Sequence, residues 1–186
     1  MATQPILKSW EHFFPEVPPV GFLLRKKHPE RWLRFHTLPD AKRTPETASE
    51  VAEVLQRMGQ ISGEVFEPRA QAALWMTTFN QLRPSLPEEQ GADFKAITQP
   101  PPIWVDALQD HFDVQHMVLW VRTQEWNWED VASIFRDVSL DRLDYVTAFS
   151  VHTGAVICPY DGGIDIFLSD AQKRAALKRK FKSWLP

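Results

Sequence analysis

Cysteine is all but missing from this chain: Cys158 stands alone among 186 residues. That excludes an internal disulfide and any zinc site built on several cysteines, and it fits a reducing compartment. Glycine is scarce as well, at 7 residues, and none is arranged as a phosphate-cradling loop. No stretch approaches the roughly 18 uncharged apolar residues of a membrane-spanning helix. Residues 1–5 carry neither the basic start nor the apolar run of a signal peptide. The expectation is a soluble cytoplasmic protein with no membrane partner. Six histidines are scattered (His12, His28, His36, His111, His116 and His152), and no two are spaced four apart as on the helix of a zinc hydrolase. His116 and His152 both fall near strand ends, where they could meet in space. Ser150 and Ser169 lack the glycine-flanked setting of a nucleophile elbow. No cofactor and no metal is called for.

An excess of positive charge is also lacking. The formal net charge is -3, which speaks against nucleic acid as the ligand of the whole surface, because phosphate binding needs an electropositive face. Cations gather only at the end, where Lys173, Arg174, Lys178, Arg179, Lys180 and Lys182 stand with a single acid, Asp170.

Apolar material is plentiful. Hydrophobic residues make up 44 %, with 8 Trp and 12 Phe, and a chain this size buries roughly 70 % of the surface its unfolded form exposes. The expectation is one globular domain over residues 1–186, interrupted by a flexible proline-rich loop at 80–102, where Pro84, Pro87 and Pro100 to Pro102 cluster.

Hydrophobic spacing predicts the elements. Leu7, Trp10, Phe13 and Phe14 recur at helical intervals. Residues 32–38 alternate as a strand, with Trp32, Arg34 and His36 on one side and Leu33, Phe35 and Thr37 on the other. A long helix follows, opened either by Thr44-Pro45 or by a Thr47-x-x-Glu50 capping box. Its stripe is Val51, Val54, Leu55, Met58, Ile61 or Ser62, and Val65. Gly59 and Gly63 imply either close packing or a break. Residues 72–79 and 116–122 read as strands. Asn127 caps an amphipathic helix with Val131, Ile134, Phe135 and Val138 inward. Residues 144–152, 155–159 and 164–168 read as strands, the last following an Asp161-Gly162-Gly163 turn. A capping box at 169–172 opens the final helix, which Leu177, Phe181, Trp184 and Leu185 anchor. The fold class is α+β: a mostly antiparallel sheet of about five to six strands with helices packed mainly on one face.

Tyr160-Asp161, Gly163-Ile164-Asp165 and Trp184-Leu185 resemble the C-terminal pattern of an uncharacterised bacterial family of domains of unknown function, a Tyr-Asp-x-x-Gly-x-Asp turn followed by a strand and a helix closing on Trp-Leu. Leu33-Arg34-Phe35 resembles that family's early Arg-Phe strand, and residues 61–66 the end of its first long helix. The turn here is one residue shorter and lacks an Asp-Arg pair. The resemblance implies a fold and no activity.

Tyr160, Asp161, Asp165 and His152 form the candidate cluster. In the chemical reading, the two carboxylates hold a metal or act as acid and base in a hydrolase. In the structural reading, Asp161 bonds turn backbone, the glycines supply the turn, Tyr160 packs and Asp165 alternates outward to solvent. Cys158 lies in an apolar run and reads as a buried, inert thiol. Trp126 and Trp128, with Trp104, are the candidate partner-binding residues, since Trp is over-represented among interface anchors. Whether the chain is an enzyme is open at this point. The favoured expectation is a non-catalytic module that binds another protein, an immunity protein neutralising a toxin being one form. The alternatives are a hydrolase or metal-assisted enzyme centred on Asp161 and Asp165, and a nucleic-acid accessory acting through the basic last helix.

Overall fold

In the computed structural model, residues 3–79, 94–97, 100–110 and 117–186 are described. Seven antiparallel strands form one sheet: β1 (Trp32–His36), β2 (Gln71–Phe79), β3 (Lys95–Ile97), β4 (Met117–Glu125), β5 (Val146–Ser150), β6 (Val156–Tyr160) and β7 (Gly163–Phe167). Their order across the sheet is β1-β7-β6-β5-β2-β4-β3. Six α-helices accompany them among the described residues: α1 (Thr3–Phe13), α2 (Gly21–Lys27), α3 (Ala48–Val65), α4 (Pro102–Gln109), α5 (Trp128–Ser139) and α6 (Ala171–Lys180). The α+β class follows as expected, with one or two more strands than the spacing suggested. No helix among the described residues is long and apolar enough to cross a membrane.

Helices cover both faces of the sheet, where the sequence suggested mainly one. On the first face, α3, α5 and α6 pack on Leu33, Phe35, Leu74, Met76, Ala148, Ile157, Ile164 and Ile166. On the second, α1, α2 and α4 pack on Ala73, Trp75, Phe149, Val156 and Phe167. A strand's side chains alternate between faces, so a sheet buried on both sides has no polar stripe along its central strands. β5 is buried at every position for that reason.

The helix signals are mostly where the sequence puts them. α3 begins at a reciprocal capping box, with Glu50 N–H donating to Thr47 Oγ1 and Thr47 N–H donating to Glu50 Oε2. It runs unbroken through both glycines to Val65. Gly59 is a point of close packing: a Cβ there would lie 2.9 Å from the Trp128 indole. Asn127 caps α5 through Glu129 N–H. The last helix starts one residue later than expected, because Asp170 accepts from Gln172 and Lys173 N–H. Within the proline-rich span, Lys95–Ile97 is an edge strand on β4; residues 80–93 and 98–99, like His111 and His116, lie outside the described residues.

A cleft at the β6–β7 turn

The register of three strands builds the floor of a cleft on the second face. β1 and β7 pair Arg34 with Asp165 and His36 with Gly163. β7 and β6 pair Asp165 with Cys158 and Gly163 with Tyr160. Because paired residues share a face, two polar rows result: Arg34–Asp165–Cys158, and His36–Gly163–Tyr160. Helix α2 crosses over the first row at one end. A Cβ on its Gly21 would be 2.9 Å from the Cys158 Cβ, so the helix rests directly on β6. Beyond it the sheet is open, and a cavity of about 590 Å³ remains, walled by Phe22 and Arg25 of α2, the 41–43 segment and the 141–145 segment.

Asp165 is the buried centre of the floor, at 4 % exposure. Arg34 Nε donates to its Oδ1 and Nη2 to its Oδ2, both at 2.8 Å. Such a bidentate pair adds geometric specificity to a strong, charge-assisted contact. Hydrogen bonding to Asp165 raises the Arg34 pKa, against the opposing effect of burial. The alternation Ile164-Asp165-Ile166 is real, but the side away from the first core is itself covered, so the residue expected in solvent is a buried charge with a partner 131 positions away.

Tyr160 lies over the guanidinium, its ring centroid 4.4 Å from the Arg34 Cζ. Burial pushes its phenol up to about 12, with the Arg34 charge opposing. Its ring reaches across Gly163, where a Cβ would lie 2.9 Å from Oη and 2.1 Å from the Phe35 carbonyl oxygen. Only glycine admits both neighbours at that position. Tyr160 Oη and His36 Nδ1, on either side of Gly163, are buried and have no hydrogen-bond partner among the described residues. Asp161 faces a second arginine: Arg43 Nη2 is 2.8 Å from its Oδ1 and Oδ2. Arg43 itself is 72 % exposed, so this pair sits at the lip and the Arg34–Asp165 pair at the base.

Two lip segments hold unusual backbone. Asp40 and Ala41 on one side, Asp141 and Tyr145 on the other, have φ between 54° and 57°. Four non-glycine residues in the left-handed region are uncommon and cost energy. Asp144 lies between the latter two. Loss of hydration against the cleft wall, then repulsion from Asp141 and Asp161, raises its pKa. Neither Asp141 nor Asp144 has an ion pair among the described residues. At the other end of the cleft, Arg25 stacks over Trp32 at 5.5 Å, and Arg34 approaches the same ring at 5.5 Å.

Three of the four residues proposed as a cluster therefore meet: Tyr160, Asp161 and Asp165. His152 does not; it is exposed in the β5–β6 turn, at the opposite end of β6. The proposed tryptophan surface is interior. Trp104 is 1 % and Trp126 4 % exposed. Trp126 packs edge-on to Phe66 at 4.5 Å, and Trp128 is half-buried, edge-on to Phe135 at 5.2 Å. An anchor must present its ring to a partner, and two of these rings are consumed by the core. Of the basic helix, Lys173 donates to the Val65 carbonyl, Arg174 to the Leu168 and Ser169 carbonyls, and Lys180 to Glu64, so three of its five cations are tied to the protein's own surface. Arg25, Arg34, Arg43, Asp141 and Asp144 were missed as site residues. Arg34 alone carried a signal, its place on the same strand side as Trp32 and His36.

Among the described residues, no three His, Cys, Asp or Glu side chains gather as a metal site requires. No curated protein and no solved structure matches the chain. A family model described as a domain of unknown function (DUF3885) matches residues 20–186, most of the chain, and the chain belongs to that family.

Proposed function

We propose that this chain is a non-catalytic protein-binding module that receives an extended segment of its partner in the cleft between α2 and the 141–145 segment. The observation that carries this reading is the commitment of Asp161 and Asp165, two of the four carboxylates that line the cleft. Asp165 meets a guanidinium with both oxygens, and so does Asp161. In both, a guanidinium lies along the carboxylate edge that a substrate would have to approach. What the cleft offers a ligand is a rigid polar floor and a lip where Asp141 and Asp144 have no ion pair among the described residues. Preorganised surfaces of that kind favour binding because little side-chain freedom remains to be lost.

Cross-linking of the tagged chain to its partner in source-cell lysate, read by mass spectrometry, tests the proposal. Cross-links from the partner should fall on the 40–43 and 141–145 segments, and Asp144→Arg should abolish capture without lowering the melting temperature. Cross-links confined to α6, or turnover of a hydrolase substrate that disappears in Asp161→Ala, would overturn it.

A further inference from the structure

The cleft is electrically polar along its length. Its floor crosses β1, β7, β6 and the start of β5, which are consecutive in the sheet. Neighbouring strands lie about 4.8 Å apart, so from β1 to β5 the floor spans about 14 Å. The β1 end carries Arg25 and Arg34 around the Trp32 ring, with Asp165 as the only acid on the floor beside them. The β5 end carries Asp141 and Asp144, while Arg43 at the lip is taken by Asp161. The first end has a surplus of positive charge and the second of negative charge. Between them, Tyr160 Oη and His36 Nδ1 are buried polar atoms with no partner among the described residues, and an unmet buried polar group is costly.

An extended chain rises about 3.4 Å per residue and turns alternate side chains to one face. Side chains four positions apart therefore point the same way, about 13–14 Å from each other. That matches the separation of the two ends of the floor, and the backbone between them would pass over Tyr160 and His36 with its own N–H and C=O groups to offer. Opposite charges placed against complementary ends select both a partner and its direction.

Resting on the reading of the cleft as the contact surface, we infer that the segment it takes is an extended stretch with a basic residue and an acidic residue four positions apart: the Lys or Arg seats against Asp141 and Asp144, and the Asp or Glu against Arg25 and Arg34. Which of the two comes first sets the direction in which the segment runs.

Calorimetric titration of the full chain with capped pentapeptides tests this. The probes are Lys-Ala-Ala-Ala-Glu and its reverse, a Gln-Ala-Ala-Ala-Gln control, a Lys-Ala-Glu control of shorter reach, and the two peptides bearing one charge each. One order of the five-residue mixed-charge peptide should bind at least about tenfold more tightly than any control. Asp144→Asn should remove the contribution of the lysine and leave that of the glutamate, and Arg25→Gln should do the reverse. Each variant's melting curve verifies that it is folded. Singly charged peptides that bind as tightly as the doubly charged one, or millimolar peptide giving no heat in either order, would overturn the inference. Cross-links on the cleft lip in the lysate experiment would still stand in that case, so failure of this inference is distinguishable from failure of the binding reading.

Discussion

Arg34 stands opposite Asp165 on β1 and β7 and donates two hydrogen bonds of 2.8 Å to its carboxylate. The pair ties an edge strand, β1, to the sheet interior through side chains as well as backbone. Asp165 is nearly out of solvent, while the Arg34 side chain retains 25 % exposure. Removing one partner of such a pair strands the other charge, and the penalty is desolvation without compensation.

Arg34→Met should therefore destabilise the protein by about 3 kcal/mol, at the low end for a buried pair because the open cleft admits water. The double variant Arg34→Met with Asp165→Leu removes both charges and should recover most of that loss. Urea denaturation of the three proteins, with unchanged m-values, reads the difference. A double variant no more stable than the single one would mean that the pair is needed for more than the neutrality of the floor.

Asp144 makes a prediction about pH. Its carboxyl is raised above the ordinary aspartate value, first by lost hydration and then by Asp141 and Asp161. The charged groups acting on it are those two acids; Arg43, which also lines the cleft, is engaged with Asp161. A folded-state pKa above the unfolded one means that the folded protein holds this proton more tightly. Stability from this group is thus gained as pH falls through the folded pKa, and a penalty is present at neutral pH. Asp144→Asn should melt at a higher temperature than wild type near neutrality, and the advantage should vanish once the medium is acidic enough to protonate the aspartate. An advantage that is the same at both pH values would show that charge is not its origin.

The sequence revealed the parts of this fold that depend on one pattern at a time. Val131, Ile134, Phe135 and Val138 define α5, and all four are buried. Thr47 and Glu50 mark the start of α3 through local hydrogen bonds alone. Features that need two patterns at once were hidden. Helix α2 has seven residues, too few for a periodic stripe to stand out. Asp165 looked solvent-facing because period-two alternation distinguishes two faces of a strand and says nothing about whether the second is covered. Trp126 and Trp128 stood out by abundance, but a large aromatic ring is as easily explained by core packing. The cleft itself joins residues 25, 34, 144 and 160, which only the strand order brings together. Tyr160, Asp161 and Asp165 were legible because a single tight turn holds them.

The two glycines of α3 should respond oppositely to alanine. Nothing lies within 4 Å of a Cβ placed on Gly63, so Gly63→Ala should stabilise the helix by up to about 1 kcal/mol. At Gly59 the new methyl would meet Trp128 at 2.9 Å, and Trp128 is pinned against Phe135. The helix-propensity gain is there opposed by overpacking, which typically costs 1–3 kcal/mol, so Gly59→Ala should be destabilised by about 1 kcal/mol. Chemical denaturation of both variants checks the pair. Equal stabilisation by the two substitutions would mean that α5 can slide away from α3 freely.

Cys158 should be unreactive until the protein unfolds. Burial drives its thiol far above the ordinary cysteine range, and the thiolate is the nucleophile. α2 begins directly over it at Gly21. The hydroxyl of Thr147 donates its one proton to the Pro19 carbonyl at 2.8 Å, and with that proton spent it accepts from the thiol at 3.5 Å. This places the sulfur in a satisfied contact between the sheet and the segment leading into α2. Ellman's reagent should modify less than a tenth as fast in native buffer as in denaturing urea, about the margin expected when reaction waits on opening. Because α2 is short and its N-cap, Val20, makes no side-chain hydrogen bond, the opening that exposes Cys158 should be a local lifting of α2 rather than global unfolding. Labelling in sub-denaturing urea tests this directly: a rate with little urea dependence would mark local opening, whereas one that follows the global m-value would show that α2 leaves the sheet only when the whole domain does.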